Sequence, residues 1–268
     1  MWRWIKELDR VLRGEATRLS ALQGGTIRIP AVGLTVVIVL LGLLAGFCVG
    51  WFAIFNRTPP EYRQVLASAL KVPLLFLLTL AVTFPSLYVF NALGGSRLSL
   101  PSVFRLLIAA MSVTLAVLAS FGPITAFFAV STENYSFMVL LNVALFGVAG
   151  LLGLVFLLQT LHRLSLIDEM TGLPPLPSAQ PDAGKDAAPP RGQNDPAGAL
   201  DRVPGHVLGA HVKAVFRCWI VVFALVGAQM AWVLRPFIGD PHRPFMWLRP
   251  RESNFFEAVF HTIQSLFR

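Results

Sequence analysis

Five histidines and two cysteines are the residues of this chain that could bind a metal ion or act as nucleophiles. His206 and His211 lie five residues apart, while Cys48 and Cys218 fall inside two separate apolar runs. No HExxH, CxxC or carboxylate cluster gives these residues the spacing that a metal site needs. We therefore expect no metal site, and the favoured interpretation is solvated histidines and packing cysteines.

Sequence motifs of enzymes are also missing. The chain has no Walker loop, no GxSxG turn and no glycine-rich dinucleotide turn. No Asp, Glu, Lys, Arg or His lies inside the five apolar segments defined below, and Arg105, His162 and Arg217 stand at their edges. Proton relays, voltage sensors and most ion-coupled transporters need ionisable groups at membrane depth. The sequence therefore predicts no catalytic residue, no cofactor and a protein that is not an enzyme.

The composition indicates a membrane protein. Hydrophobic residues make up 55% of the 268 residues and charged residues only 13%, which leaves little polar surface for a soluble chain. The net charge of +8 comes from Lys and Arg spread through tails and loops. Contact with anionic lipid headgroups is therefore favoured over nucleic-acid binding, and the lipid bilayer is the expected partner.

Five uncharged segments approach or exceed the roughly 20 helical residues that cross a bilayer core. They are residues 31–55, 72–93, 106–130, 136–161 and 218–234. All five are continuously apolar and lack the alternation of an outer-membrane barrel. The predicted fold class is all-α, a polytopic integral membrane helical bundle with about five transmembrane helices and amphipathic helices at both termini.

The segments divide the chain into regions. Residues 1–30 form a basic amphipathic helix, 31–164 a four-helix transmembrane block, 165–211 a linker, 212–235 the fifth transmembrane helix and 236–268 a tail rich in proline and aromatic residues. The linker carries eight prolines between Pro174 and Pro204, so we expect it to be disordered. The first apolar run exceeds a signal-peptide core, which predicts an uncleaved anchor.

The distribution of basic residues predicts the orientation. With five spans and a cytoplasmic N-terminus, 14 of the 22 Lys and Arg residues lie on the inner side and eight on the outer side. Positively charged loops stay preferentially in the cytoplasm. We therefore expect the N-terminus in the cytoplasm and the C-terminal tail on the opposite side.

Both termini show amphipathic patterns. The N-terminal residues Trp4, Leu8 and Leu12 share one helical face. Near the C-terminus, Asn254 is a predicted helix cap with Glu257 three residues later. The apolar face that follows includes Phe255, Phe256, Val259, Phe260 and Ile263. Anchoring at the membrane surface is the favoured role of both faces, and docking of a partner or gating of the bundle is the alternative.

Small residues recur at helical spacing inside the apolar segments. In hydrocarbon, helices associate through close backbone approach across such residues. The candidate packing residues are Gly42, Gly46, Gly50, Ser112, Ala116, Ser120, Ala149, Gly153, Gly227 and Ala231. Packing between helices of the same chain is favoured over an interface between copies of the chain. A homo-oligomeric pore lined by the glycine residues is the more specific alternative.

Two stretches resemble an uncharacterised family of bacterial multi-pass membrane proteins. They are "KVPLLFLLTLAVTFPSLYVFNALGG" and "AQMAWVLRPFIGDPHRPFMWLRPRESNFFEAVF". Some family members are labelled as containing an actin-binding WH2 domain, although this chain shows no LKKT-like tetrapeptide, and the helix-pair layout is loosely similar to Yip1-type proteins. The resemblance implies a location in the bacterial inner membrane and no particular activity.

Two functional classes follow from these patterns. The favoured one is a non-enzymatic scaffold or subunit of a heteromeric membrane complex that uses its terminal amphipathic helices and linker. The alternative is a homo-oligomeric ion channel or pore with the C-terminal tail as a plug, in which polar residues such as Ser112, Ser120 and Asn142 line the path.

Overall fold

The computed structural model describes residues 2–14, 31–93, 100–171, 206–250 and 253–266. These residues form helices and contain no strand, so the prediction of an all-α bundle is confirmed. The helices are α1 Trp2–Leu12, α2 Ala31–Gly50, α3 Phe52–Phe55, α4 Tyr62–Leu93, α5 Leu100–Ser120, α6 Gly122–Ser131, α7 Tyr135–Thr171, α8 His206–Leu234 and α9 Phe255–Leu266.

Within the described residues, four helical segments are long and apolar enough to cross a membrane, judged by length and composition. They are Ala31–Phe55, Tyr62–Ser86, Val103–Ser131 and Tyr135–Thr160. The predicted fifth segment, Cys218–Leu234, is a shorter apolar stretch at the end of α8. Residues 172–205, which make up most of the predicted linker 165–211, lie outside the described residues. The two ends of the linker are helical, because α7 continues to Thr171 and α8 begins at His206.

Two of the long segments are interrupted. The helix ends at Gly50 and resumes at Phe52, and a second break at Phe121 separates α5 from α6. Pro123 occupies the first turn of α6, where its missing amide proton costs no helical hydrogen bond. Gly122 lies next to Cys48 across the break, since a Cβ at position 122 would meet its Sγ at 3.1 Å.

The second transmembrane helix starts earlier than the sequence predicted. We expected it at residue 72 because Arg63 and Lys71 interrupt the uncharged run, but α4 begins at Tyr62 and the candidate span reaches Ser86. Lys71 therefore lies inside a candidate span that begins ten residues before the predicted segment 72–93. The physical reason is that the ammonium group finds acceptors inside the protein, as described below.

The connections divide the bundle into two ends. Residues 56–61, residues 132–134 and the tail after Leu234 lie together at one end, because Asn56 donates to the carbonyl of Ala129 at 2.8 Å and Ser136 bonds Ser265 at 3.0 Å. We call this end the mouth. Helix α1 packs at the opposite end, where Trp4 lies against Gly33 near the start of α2.

Much of the outer surface of the bundle is apolar. Phe127 and Leu151 are each 64% exposed, and most side chains of the spanning part of α7 are not buried. Other exposed apolar residues on the long helices are Leu44, Phe47, Leu74, Val82, Val155 and Val221. Such a surface is unfavourable in water but suits contact with acyl chains.

Candidate functional site

The glycine strip of α2 faces α4 within the same chain. A Cβ at Gly42 would lie 2.8 Å from Cβ of Pro73, and one at Gly50 would lie 2.7 Å from Cα of Val65. At Gly46 it would overlap the carbonyl oxygen of Ser68. The strip therefore lets the two antiparallel backbones approach closely along three successive turns, as close packing in hydrocarbon requires.

The other candidate packing residues differ in burial and in the helix that they contact. Gly153 of α7 faces α5, where a Cβ would overlap Oγ1 of Thr114. Gly227 of α8 faces α4, and its Cβ position is 3.6 Å from Cγ2 of Thr79. Ala149 and Ser112 are buried, Ala116 and Ala231 are partly buried, and Ser120 is exposed. The α5–α7 contact thus uses Thr114, which lies beside the predicted strip of Ser112, Ala116 and Ser120.

The N-terminal helix packs on the bundle with a face that differs slightly from the predicted one. Leu8 and Val11 are buried, with Val11 1% exposed, and Trp4 packs against the same core. Leu12 is 48% exposed and Ile5 46% exposed. The three predicted residues Trp4, Leu8 and Leu12 therefore do not share one environment.

The C-terminal helix lies at the mouth with part of its apolar face exposed. Phe256, Phe260 and Ile263 are exposed, whereas Phe255 and Val259 are partly buried. The predicted cap is confirmed, because Oδ1 of Asn254 accepts a hydrogen bond from the amide of Glu257 at 2.9 Å. No described residue of α9 is fully buried, so the helix is held at the bundle without being part of its core.

Three polar side chains of α4 form the most buried polar group at the mouth. Gln64, Ser68 and Lys71 are spaced by four and three residues, which places them on one helical face. Their exposed fractions are 2%, 0% and 1%. Polar groups buried this deeply must be hydrogen-bonded, since an unpaired one costs about 1–3 kcal/mol.

Backbone carbonyls of the C-terminal tail satisfy this polar face. Lys71 Nζ donates to the carbonyl of Pro236 at 2.9 Å and to that of Trp247. The Ser68 hydroxyl donates to the carbonyl of Phe237, and Gln64 Nε2 reaches the carbonyls of Pro236 and Phe237, each at 3.2 Å. We call Gln64, Ser68 and Lys71 the tail anchor, because they hold residues 235–250 against the bundle.

Apolar contacts support the tail beside the anchor. Ile238 is 5% exposed and belongs to a buried cluster with Phe52 and Met138. Gly239 passes so close to the bundle that a Cβ there would lie 2.6 Å from Cβ of Ala53. Phe237 packs against Phe146 of α7 with ring centroids 6.3 Å apart. Residues 236–239 of the tail are therefore integrated into the core of the bundle.

Charged side chains hold the outer part of the tail. Asp240 lies 3.5 Å from Arg249 and 3.7 Å from Arg243. Arg235 donates to the carbonyl of Pro250 at 2.6 Å and stacks on Trp232 with its guanidinium 3.4 Å from the ring centroid. The Arg249 amide donates to the carbonyl of Arg235 at 3.3 Å. These contacts fold residues 235–250 into a loop that returns to its own start.

Sequence reasoning missed the tail anchor, although it flagged the tail as unusual. The signal was present in "YRQVLASALKVP", where Gln64, Ser68 and Lys71 already share a helical face. The acceptors could not be found in this way, because they are backbone carbonyls some 165 to 176 residues away along the chain.

The described part of the chain holds no group of three or more His, Cys, Asp or Glu residues arranged around a common point that could bind a metal ion. No known family matches the chain, and neither a curated protein nor a solved structure matches it. The family resemblance noted in the sequence therefore stays a prediction. The tail anchor is consequently interpreted from its own geometry.

Proposed function

We propose that this chain is a non-enzymatic subunit or scaffold of a bacterial inner-membrane complex, with its N-terminus in the cytoplasm and its tail on the outer side. The observation that carries the proposal is the C-terminal helix α9, whose apolar residues Phe256, Phe260 and Ile263 stay exposed while the helix is fixed at the mouth. An exposed apolar face held in a fixed position suits contact with another membrane subunit at the bilayer surface.

The position of α9 supports this interpretation. Trp232 of α8 donates through its indole to the carbonyl of Ser253, just before the helix, and Ser136 of α7 bonds Ser265 near its end. Both ends of the segment are thus tied to helices that belong to the bundle. A partner would meet a preorganised surface, which lowers the entropy lost on binding.

The homo-oligomeric channel receives less support from the same geometry. The glycine strip of Gly42, Gly46 and Gly50 is already used against α4. Ser112 donates to the carbonyl of Ala109 and Asn142 to that of Met138, each in its own helix. A pore would need such groups to face a shared axis. Ion flux in liposomes above that of empty vesicles would favour the channel over the scaffold.

The test of the scaffold is replacement of Phe256, Phe260 and Ile263 by Ser in one variant. We expect this variant to insert into membranes normally but to lose a stoichiometric larger complex on native gels of gently solubilised host membranes. The matched control replaces Glu257 and His261, which are exposed on the same helix, by Gln. A complex of unchanged size in both variants, or a wild-type chain that runs alone, would contradict the proposal.

A further inference from the structure

Helix α8 runs antiparallel to α4 and covers the same depth of the bundle. Trp219 donates from Nε1 to the hydroxyl of Ser86 at 3.2 Å. Further along, the Cβ position of Gly227 is 3.6 Å from Cγ2 of Thr79. Just after α8, the tail meets the tail anchor near the start of α4. Each residue of α8 can therefore be placed at a depth by its neighbour on α4.

Gln229 lies near the middle of the second candidate span. Two residues beyond the contact of Gly227 with Thr79, it is level with Leu77 of α4. Leu74 is the middle residue of that 25-residue span, only about 5 Å from Leu77 along the helix axis. The hydrocarbon core extends about 15 Å to each side of its midplane. The amide of Gln229 is therefore too deep to reach the lipid headgroups.

The side chain of Gln229 points away from α4. Gly227 faces α4, and two residues further along a helix the side chain has turned by about 200°. Gln229 is only partly buried, and it makes no side-chain hydrogen bond to the described part of the chain. An amide left without a partner in hydrocarbon is unfavourable. This face of α8 therefore calls for a polar group from another helix.

Gln229 belongs to an otherwise apolar seam on the outer face of α8. Cys218, Val222, Leu225 and Gln229 are spaced by four, three and four residues, as at the a and d positions of a coiled coil. We call these four residues the α8 seam. Cys218 is exposed and Leu225 is 46% exposed. An open groove at the seam is lined by Leu225, Val226, Gln229, Met230 and Val233.

A second copy of the chain is the occupant that this seam fits. Copies of one chain insert with the same orientation, so two α8 helices that meet are parallel and related by a two-fold axis along the membrane normal. Each seam residue then faces its own counterpart. A carboxamide has two N–H donors and a carbonyl acceptor, so Gln229 is complementary to itself. One polar residue among apolar seam positions also fixes the register of a helix pair.

We propose that two copies of the chain pair through the α8 seam, with Gln229 of each copy hydrogen-bonded to Gln229 of the other. The pairing goes beyond the proposed scaffold role, which uses the exposed face of α9. Variants of the seam leave Phe256, Phe260 and Ile263 unchanged, so either proposal can fail without the other. The glycine strip of α2 stays inside each copy, against α4.

Disulfide cross-linking in native host membranes tests the pairing. Leu225→Cys and Ala224→Cys are each made in the full chain with Cys48 and Cys218 replaced by Ser, and the membranes are oxidised with iodine. Ala224 is also exposed, but it points about 100° away from Leu225 around the helix. Leu225→Cys is expected to give a covalent dimer and Ala224→Cys to stay monomeric, because a disulfide needs Cα atoms within about 7 Å. The unaltered chain should form the same dimer through Cys218.

Gln229→Leu measures the contribution of the amide. This variant keeps an apolar side chain on the seam but loses the hydrogen bond, so the dissociation constant of the dimer in detergent micelles should rise by roughly threefold to tenfold. Sedimentation equilibrium measures the constant. Gln159→Leu is the matched control, since Gln159 is an exposed glutamine on α7, and it should dissociate like the wild type.

Three results would overturn the pairing. The first is equal cross-linking of Leu225→Cys and Ala224→Cys, or no covalent dimer from either Leu225→Cys or the unaltered chain. The second is a Leu225→Cys product that contains a different protein, which would assign the seam to another subunit. The third is a Gln229→Leu dimer as tight as that of the wild type.

Discussion

Gly46→Ala is expected to destabilise the bundle by about 1–3 kcal/mol, the usual cost of overpacking a close contact. The added Cβ would overlap the carbonyl oxygen of Ser68 and lie 2.7 Å from Cα of Ala69. Both neighbours are backbone atoms that cannot rotate away, so α2 and α4 must separate. We expect a lower melting temperature and a lower midpoint of unfolding by SDS in mixed micelles.

Gly147→Ala is the matched control for this prediction. Gly147 lies in α7, and a Cβ there would have no neighbour within 4 Å. Alanine is the better helix former by about 0.5–1 kcal/mol, so the control should be unchanged or slightly more stable. Equal destabilisation of the two variants would show that the glycine strip does not set the distance between α2 and α4.

Lys71→Met is expected to release the outer part of the tail. Methionine fills the space of the lysine stem but cannot donate to the carbonyls of Pro236 and Trp247. Global stability is a poor measure here, because removal of a buried charge also removes its desolvation cost. Loss of hydrogen bonds from a charged donor, worth about 1.5–3 kcal/mol each, should raise the open population of residues 241–250 by roughly tenfold or more.

Hydrogen–deuterium exchange measures this release. The amide of Arg249 is bonded to the carbonyl of Arg235 in the closed tail, so peptides that cover residues 245–250 should exchange faster in Lys71→Met. Arg63→Met, which removes an exposed cation eight residues earlier on α4, should exchange like the wild type. Unchanged protection in Lys71→Met would mean that Lys71 does not hold the tail.

The sequence predicted the membrane helices well because hydrocarbon imposes a simple length and polarity requirement on each segment. The first and fourth candidate spans, Ala31–Phe55 and Tyr135–Thr160, start within one residue of their predicted positions. The third begins and ends within three residues of its prediction. In these three segments a side chain meets apolar groups whether it faces lipid or another helix. The run of apolar residues alone therefore predicts where each span begins and ends.

The same requirement for an uncharged segment did not predict that the second candidate span begins at Tyr62, and the reason is physical. It treats each charge as facing water or lipid, whereas Lys71 faces carbonyl oxygens supplied by the tail. Proline-rich segments such as residues 235–250 carry carbonyls whose direction depends on tertiary contacts, and no periodic pattern predicts them. The burial of Lys71 inside the candidate span and the tail anchor therefore depend on one long-range contact that local sequence does not encode.

The most direct test of the buried tail anchor is acylation of the folded protein with a membrane-impermeant amine reagent, followed by mass spectrometry of each lysine. Lys6 is exposed on α1, whereas Lys71 is 1% exposed beneath the tail. The anchor predicts that Lys6 reacts rapidly and Lys71 stays unmodified until the chain is unfolded in SDS. Reaction of Lys71 at the rate of Lys6 in the folded protein would contradict it.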